Sequence, residues 1–512
     1  MPTCIVIGAF SKTGKSVSET VQGMLRISAS DFSGIDNVKL ALQDEYIEAD
    51  SIEGFEAISL PPSTIALGIA YSSRDETPSS AAGDAESSFV AVTGRIFNQP
   101  DAPTALIQLL EKTMNATHDI ELSSKKLVES LDGQYALALK WGNEFLLARD
   151  TIGVKPLYIA QDDHLIAFSS RRRPLWDIGL KNLKSVTQPT LISQGGVRTI
   201  SSGMRIESIR LSERSAAQSL VTILSEVIAK MIAGHKEIGI LFSGGLDSSV
   251  VAKLSMDLGV KCRLYCAGTR SSRDIYNARR MSSTLQIPLT EAEVTYENVA
   301  ENLPRVVSLV ESTDMIVVST SLPIYFAIRE SVNRGETLVL HGQGADELYG
   351  GYERYENTLA KEGYTAVCNE MLNDIVGLGN VIPQYDQLGT PSSSQILAPF
   401  LDASVVRFSL GIPIQLKLSS EGKRITRKYI LRQVASRIGI RTELLPVQKV
   451  AVQFGSGVAK IMDLIARKAG FTKRLARESG FALPIQAYLE KIGGSLGVRS
   501  RARREKEAEK RD

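Results

Sequence analysis

The segment best suited to chemistry in this 512-residue chain is a turn rich in glycine and serine, between an apolar strand and a helix. It spans residues 238–249 and reads IGILFSGGLDSS. Gly244 and Gly245 would let the backbone approach an anion closely, and the free N–H groups at a helix start favour phosphate. Further donors are the hydroxyls of Ser243, Ser248 and Ser249. The pattern predicts a phosphate-binding loop, although not a Walker A loop, because the Gly-Lys-Ser/Thr ending is missing.

Two aspartates predict a Mg²⁺ site beside this loop. Asp247 would repel a phosphate unless a divalent cation bridges the carboxylate and the phosphate oxygens. Asp346 follows a second apolar strand, at 338–341, in another glycine-rich turn, and could complete the ligand shell. The alternative is that Asp247 or Ser248, and likewise Asp346 or Glu347, only caps a helix.

The loop resembles the pyrophosphate loop of the asparagine synthetase family of N-type ATP pyrophosphatases. Other segments fall in the family's order: LVLHGQGADELYGGY at 338–352, APFLD at 398–402, RKYILR at 427–432 and QKVAVQFGSG at 448–457. The resemblance implies that ATP is split into AMP and pyrophosphate with Mg²⁺. It also implies that a carboxylate is adenylated and then amidated.

The resemblance assigns roles to individual residues. Lys449 matches a lysine that faces the leaving pyrophosphate, where a fixed ammonium would stabilise developing charge. The catalytic set is completed by Asp346 and Gln343, and the metal ligands would be Asp247 and Asp346. The nucleotide-binding residues would be Phe242, Ser243, Gly244, Gly245, Leu246, Asp247, Ser248, Ser249, Ala267, His341 and Gly342. Segments 398–402 and 427–432 are interpreted mainly as scaffold.

The pocket for the acceptor acid departs from the family. Gln343 stands where asparagine synthetases have Glu and β-lactam synthetases have Tyr, and an amide cannot act as a general base. Ser319 stands where an Arg is expected, after the apolar Ile316 and Val317 in place of threonines, and Gln395 replaces a carboxylate. Without an Arg fork, bidentate carboxylate recognition is lost. Aspartate is the first candidate for the acceptor, and a larger, less charged acid is the alternative.

Residues 1–180 resemble the class II glutaminase domain through segments 92–98, 131–136 and 148–158. Glutaminase chemistry needs a cysteine that is itself the N-terminus. Cys4 follows Pro2 and Thr3, so activity would require removal of Met1–Thr3. Thr93-Gly94-Arg95 replaces the family's NGE, no HRGPD segment is found, and Pro103 replaces an Asp that grips glutamine. We therefore predict an inactive glutaminase, with nitrogen from ammonia or a separate glutaminase.

Two fold classes are predicted along the chain. Short strands with few helices indicate an α+β layered domain, which the resemblance implies is an Ntn-type domain at 1–185 with antiparallel sheets between helices. Alternating strands and helices, followed by a mostly helical C-terminal part, indicate an α/β parallel-sheet domain at 216–498, which the resemblance implies is an ATP pyrophosphatase domain. Residues 186–215 would connect them, and the charged tail at 499–512 would be solvated.

The composition argues against several classes of protein, including nucleic-acid-binding, disulfide-rich and membrane proteins. Lys+Arg 59 against Asp+Glu 57 leaves a charge of +2, which favours neither nucleic acid nor a membrane as partner. Four cysteines without a Cys-x-x-Cys pair argue against a disulfide scaffold, and Cys262 and Cys266 are expected in a buried strand. No signal peptide or membrane span is evident, which favours a cytoplasmic enzyme. A homodimer is the candidate assembly.

Three functions fit these observations. The first is an amide-forming ligase of the asparagine synthetase type. The second is an intramolecular amide closure like that of β-lactam synthetases, which would run without ammonia. The third is a catalytically inactive protein that binds ATP and releases no pyrophosphate.

Overall fold

The computed structural model describes residues 4–30, 35–43, 45–72, 80–82, 88–99, 102–202, 206–389, 394–421, 424–445 and 451–499. The chain divides into two compact units. The first comprises Met1–Met204 with Gly389–Gln395, and the second comprises Arg205–Leu388 with Ile396–Asp512. Each unit has its own sheets.

The first unit contains two antiparallel sheets. Its strands are β1 (Ile5–Ser11), β2 (Asn37–Ala41), β3 (Tyr46–Ala49), β4 (Ile65–Tyr71), β5 (Ser80–Ala82), β6 (Ser88–Ile96), β7 (Gly133–Trp141), β8 (Glu144–Arg149), β9 (Tyr158–Gln161), β10 (Leu165–Ser169), β11 (Lys184–Ser185), β12 (Thr190–Ser193) and β13 (Gly196–Thr199). Its helices are α1 (Ser18–Ser30), α2 (Ile52–Glu56), α3 (Ala102–Thr117), α4 (Ile120–Ser130) and α5 (Arg173–Asp177). The strand orders are β11-β9-β10-β1-β4-β2-β3 and β13-β12-β8-β7-β6-β5. Strands β12 and β13 come from the segment interpreted as a connection.

Two apolar cores give this unit its layers. Along β7, Ala136 and Ala138 point into a core shared by both sheets, whereas Leu137 and Leu139 point into a core shared with α3 and α4. This alternation follows from the two-residue period of a strand. Helix α1 packs on β1 and β4, on the other sheet. The predicted α+β arrangement of antiparallel sheets between helices is confirmed.

Arg149 and Asp150 hold a turn of this unit together. The buried Asp150 carboxylate accepts the backbone N–H groups of Gly153, Val154 and Lys155. Burial raises the pKa of Asp150, and these hydrogen bonds oppose the shift. The Arg149 guanidinium donates to the carbonyls of Gly153 and Lys155. The segment that most resembles the glutaminase domain therefore has a structural role.

The second unit is built on a five-stranded sheet. Its strands are β14 (Glu237–Leu241), β15 (Lys261–Gly268), β16 (Leu289–Glu293), β17 (Leu338–Leu340) and β18 (Gln395–Leu397), in the order β16-β15-β14-β17-β18, with a separate hairpin of β19 (Ser419–Glu421) and β20 (Arg424–Thr426). Strand β14 pairs in parallel with both β15 and β17, and β15 pairs in parallel with β16. The predicted parallel sheet is confirmed.

Helices surround this sheet and form most of the C-terminal part. They are α6 (Glu213–Ile232), α7 (Leu246–Asp257), α8 (Arg273–Leu285), α9 (Tyr296–Val310), α10 (Met315–Asn333), α11 (Ala345–Tyr349), α12 (Glu353–Glu362), α13 (Tyr364–Asp386), α14 (Ala403–Gly411), α15 (Tyr429–Arg437), α16 (Val452–Gly455), α17 (Val458–Lys468), α18 (Lys473–Glu478) and α19 (Pro484–Ser495). Short 3-10 turns lie at Pro399–Leu401, Ile414–Leu416 and Thr442–Leu444. By length and composition α6 and α10 could cross a membrane. In this fold α10 packs on β15 and α9, and α6 packs on α15 and α14.

We predict that Asp150→Ala destabilises the first unit by about 3 kcal/mol, because buried N–H groups lose their acceptor. Both tryptophans, Trp141 and Trp176, lie in this unit, so unfolding in urea can be followed by their fluorescence. Asp162→Ala is the matched control, because Asp162 accepts two backbone N–H groups in an exposed turn. Water can replace that acceptor, so the control should lose less than about 1 kcal/mol. Equal losses for both variants would contradict the structural role of Asp150.

Candidate active site

A cavity lies at the carboxyl ends of β14, β15 and β17. The chain leaves β14 for β15 on one side and later adds β17 on the other, so the strand order reverses here. Such switch points are where open parallel sheets bind ligands. The predicted site residues that line the cavity are Phe242, Ser243, Gly245, Leu246, Asp247, Ser248, Ala267, His341, Gly342, Gln343 and Asp346. Gly244 and Ser249 are not among its lining residues.

The turn after β14 opens the helix α7 without a side-chain cap. The N-cap residue is Gly245, and no side chain accepts the first N–H groups of the helix. Gly244 has φ +69, and a Cβ there would collide with the backbone of Asn277 in α8. The turn therefore requires glycine, and it leaves helix N–H groups for an anion. The alternative that Asp247 or Ser248 caps the helix is excluded.

The Asp247 and Asp346 carboxylates converge on one ammonium group, that of Lys428. The Lys428 Nζ lies 2.6 Å from both carboxylate oxygens of Asp247 and 2.7 Å from Oδ1 of Asp346. All three side chains are largely buried, with exposed fractions of 8% for Lys428, 16% for Asp247 and 9% for Asp346. Burial lowers the pKa of Lys428, and the Asp247 carboxylate opposes that shift. The geometry thus brings both predicted metal ligands to one point.

Glycines allow this approach. A Cβ on Gly351 would overlap the Asp346 carboxylate and the Lys428 side chain. A Cβ on Gly342 would lie 3.0 Å from the Cβ of Asp247. The charged groups therefore pack directly against the backbone, at Gly351 in the GGY turn and at Gly342 after β17.

Helix α11 carries Asp346 and Glu347 without using either as a cap. Its N-cap residue is Gly344, in the left-handed region, and no side-chain cap is formed. Burial raises the pKa of Glu347, while a hydrogen bond from the Tyr352 hydroxyl opposes the shift. The capping alternative is excluded here too, and Asp346 lines the cavity.

The cavity has an apolar end suited to a flat ring. Its walls there are Tyr265 and Cys266 of β15 and a stripe of α10 formed by Pro323, Ile324 and Ala327. Burial raises the pKa of the Cys266 thiol well above its usual value, so it remains protonated. Cys262 and Cys266 are both buried in this strand, as predicted. Apolar strand and helix side chains of this kind can enclose a nucleobase.

The segments expected to hold the acceptor acid carry neutral groups. Gln343 lines the cavity, and its Oε1 is buried without a hydrogen-bond partner among the described residues. The Ser319 hydroxyl donates to the carbonyl of Ile316 in its own helix, so it is not free to replace an Arg. The Thr320 hydroxyl contacts Gln453, and Ile316 is 60% exposed.

Three basic side chains of the segment 427–432 were not foreseen as site residues. Arg427, Lys428 and Arg432 all line the cavity, so the interpretation of that segment as scaffold is incomplete. The only sequence signal for them is the matched RKYILR segment. Asp402 of APFLD does have a structural role, because it caps α14 and pairs with Lys230 at 2.6 Å.

Lys449 lies outside the described residues, but the chain just after it is anchored at the site. A Cβ on Gly455 would overlap the Asp274 carboxylate, which lines the cavity. The Thr269 N–H donates to the carbonyl of Ser456 at 2.9 Å. These contacts hold α16 against the loop that follows β15.

Mg²⁺ fits the carboxylates of this site. Asp247 and Asp346 supply hard oxygen ligands, the kind that Mg²⁺ takes beside substrate phosphates and water. Among the described residues no group of three or more His, Cys, Asp or Glu side chains could hold a metal alone. The pair is therefore suited to a cation that phosphate oxygens also ligate.

Cys4, in the first unit, is packed in the interior. Its thiol is 6% exposed, belongs to the core between the two sheets, and donates to the carbonyl of Val92 at 3.2 Å. The Arg95 guanidinium lies 5.9 Å from the Phe97 ring. Pro103 is in α3. Met1–Thr3, whose removal glutaminase activity would require, lie outside the described residues.

We predict that Gly351→Ala costs the second unit about 2 kcal/mol, because the added methyl overlaps Asp346 and Lys428. Urea unfolding followed by far-ultraviolet circular dichroism would measure the loss. Gly377→Ala, in α13, is the matched control, because a Cβ there meets nothing within 4 Å. Alanine should stabilise that helix by about 0.5–1 kcal/mol. A Gly351→Ala variant as stable as wild type would contradict the close packing.

Comparison with known proteins shows the family of this chain. Residues 220–375 and 378–485, together more than half of the chain, match the asparagine synthase family, and residues 66–177 match a glutamine amidotransferase domain. A putative asparagine synthetase [glutamine-hydrolyzing] 1 of Methanocaldococcus jannaschii is 29% identical, covering 93% of this chain and 97% of the relative. A probable asparagine synthetase [glutamine-hydrolyzing] of Dictyostelium discoideum is 27% identical, covering 67% of each. The chain is a member of the asparagine synthase family.

Proposed function

We propose that this chain is an ATP-dependent ligase that adenylates a carboxylic acid and then forms an amide. The observation that carries the proposal is the convergence of Asp247 and Asp346 on one cation, Lys428, beside the uncapped start of α7. This arrangement offers carboxylates for a divalent cation, N–H groups for phosphate and an apolar end for adenine, in one cavity.

The first step would form an acyl-adenylate. A carboxylate oxygen of the acid attacks the α-phosphorus, the bond between that phosphorus and the bridging oxygen breaks, and pyrophosphate leaves. The first N–H groups of α7 and the hydroxyls of Ser243 and Ser248 would bind the pyrophosphate. Mg²⁺ held by Asp247 and Asp346 would supply neutralising charge. Lys428, Arg432 and Lys449 would add fixed positive charge.

The second step would form the amide. The lone pair of the nitrogen attacks the acyl carbon, AMP leaves with the electrons of the broken bond, and a proton is lost from the nitrogen. Gln343, with its free Oε1, is placed to orient the nitrogen or the acid by a hydrogen bond but cannot remove the proton. That proton would pass to the phosphate of the departing AMP or to solvent.

For the acceptor acid, aspartate is the first candidate and a larger, less charged acid is the alternative. The stretch of α10 from Met315 to Ile328 contains no cation, and Arg329 lies 5.0 Å from the Phe326 ring. A side-chain carboxylate would therefore find no guanidinium on the part of this helix from Met315 to Ile328, which is the reason for the less charged acid as the alternative.

For the nitrogen source, ammonia or the product of a separate glutaminase fits best. The Cys4 thiol packs in the core between the two sheets, and Thr93 and Arg95 replace the amide and the carboxylate of the family's site. The first unit then serves as a folded partner of the synthetase unit rather than as its source of ammonia.

We predict that Asp247→Asn lowers ATP-dependent pyrophosphate release by roughly 100-fold, because the cation loses a charged ligand. Asp257→Asn is the control. Asp257 lies at the other end of the same helix, exposed and paired with Lys253. Pyrophosphate release by the Asp257→Asn variant should stay within about twofold of wild type. A fully active Asp247→Asn enzyme would contradict the proposed metal site.

A panel of acids tests the acceptor. Pyrophosphate release should depend on the added acid, and kcat/KM should favour one class, either aspartate or monocarboxylic amino acids of larger size. We expect the preferred class to exceed the other by about tenfold, the scale of one lost charged hydrogen bond. Equal and negligible turnover with every acid would overturn the synthetase proposal.

The nitrogen source has its own test. Ammonium should support turnover with the preferred acid, glutamine should not, and Cys4→Ala should leave the ammonium-dependent rate unchanged. Cys368→Ala, at an exposed thiol, controls for loss of a cysteine elsewhere. Release of glutamate in step with AMP, abolished by Cys4→Ala, would show that the first unit is an active glutaminase.

A further inference from the structure

Lys428 occupies the point where the two acidic side chains meet. Its ammonium contacts both oxygens of Asp247 at 2.6 Å and one oxygen of Asp346 at 2.7 Å. One positive charge thus faces two carboxylates that are themselves largely buried. The group is bound much as a small cation would be.

The backbone fixes Lys428 in this place. The residue lies in the left-handed region with φ 53, where it precedes α15, and its N–H donates to the carbonyl of Tyr349 at 3.1 Å. The Cα of Gly351 packs against its side chain. A lysine held at an unfavourable φ is constrained by its surroundings, so a displaced ammonium would move by rotation of the side chain and not by a shift of the backbone.

The neighbouring charges do not substitute for the ammonium. Arg427 pairs with Glu356 at 2.5 Å and donates to the carbonyl of Gly351. The Arg432 Nε donates to the carbonyl of Arg427. Glu347 lies close enough to interact with Lys428, and its carboxylate accepts the Tyr352 hydroxyl.

A divalent cation held by this pair would need the same oxygens. Two cations cannot both contact them, because like charges at such short distances repel strongly. The carboxylates therefore bind either the ammonium or the metal. A bound polyphosphate shifts this equilibrium towards the metal, because its oxygens can accept hydrogen bonds from the displaced ammonium and complete the metal's ligand shell.

We propose that Lys428 is an internal counter-ion that competes with the divalent cation for Asp247 and Asp346, so that the metal binds tightly only together with a polyphosphate. The proposal rests on the proposed function for its nucleotide site. It adds a binding order: free metal is rejected, and the metal–nucleotide complex is accepted as a unit.

Binding of Mn²⁺, used as the probe for Mg²⁺ and followed by electron paramagnetic resonance, tests the proposal on the full chain. Without nucleotide, Lys428→Met should bind Mn²⁺ about tenfold more tightly than wild type. Lys428→Arg, which keeps the charge, should bind it as weakly as wild type. Lys253→Met, which removes a partly buried lysine of α7 that pairs with Asp257, should not differ from wild type. Equal Mn²⁺ affinity of wild type and Lys428→Met would overturn the competition.

A second measurement needs no variant at this position. In the wild-type chain, the α,β-methylene analogue of ATP should tighten Mn²⁺ binding by at least about tenfold. Unchanged Mn²⁺ affinity despite bound analogue would overturn the competition alone. Failure of the analogue to bind in the presence of Mn²⁺ would overturn the proposed function instead, so the two failures can be told apart.

Discussion

The candidate site depends on a buried ion triad, in which Lys428 holds the carboxylates of Asp247 and Asp346 together. Bringing charges out of water is costly unless each finds a partner, and here one ammonium contacts both carboxylates. A divalent cation that used the same carboxylate oxygens would have to displace this ammonium. The turns around it follow from the same constraint, because Gly342 and Gly351 leave room where any side chain would collide with the triad.

Much of this site could be predicted from local sequence. A glycine turn between an apolar strand and a helix predicts where α7 begins, and the glycines after β17 predict the turn that carries Asp346. Such signals are local because the residue types within a short segment determine its backbone conformation and whether a strand is buried. Lys428 could not be predicted in this way. It lies 181 residues from Asp247, and the resemblance of its segment RKYILR to the family does not indicate which residues its side chain contacts. Only the tertiary fold makes it a partner of both aspartates.

The two units differ in whether the residues that build the fold are accompanied by the residues expected to carry the chemistry. In the first, the segments that resemble a glutaminase are those that build the turn around Asp150 and the cores on either side of β7. The positions that would carry catalysis hold other residues, such as Arg95 and Pro103. Packing and turn residues are separate from reacting groups, so this fold can be kept whether or not the glutaminase chemistry is. In the second unit, the acidic groups that we propose as metal ligands and the glycines that make room for them line one cavity or its walls.

Calorimetric titration of the purified chain with ATP in the presence of Mg²⁺ tests the central claim most directly, together with the same titration of Asp346→Asn. The account predicts saturable binding that requires Mg²⁺ and is weakened by roughly tenfold or more in the variant, since a charged metal ligand is lost. No affinity for the nucleotide, or equal affinity of wild type and Asp346→Asn, would contradict the claim that two aspartates share a cation at this cavity.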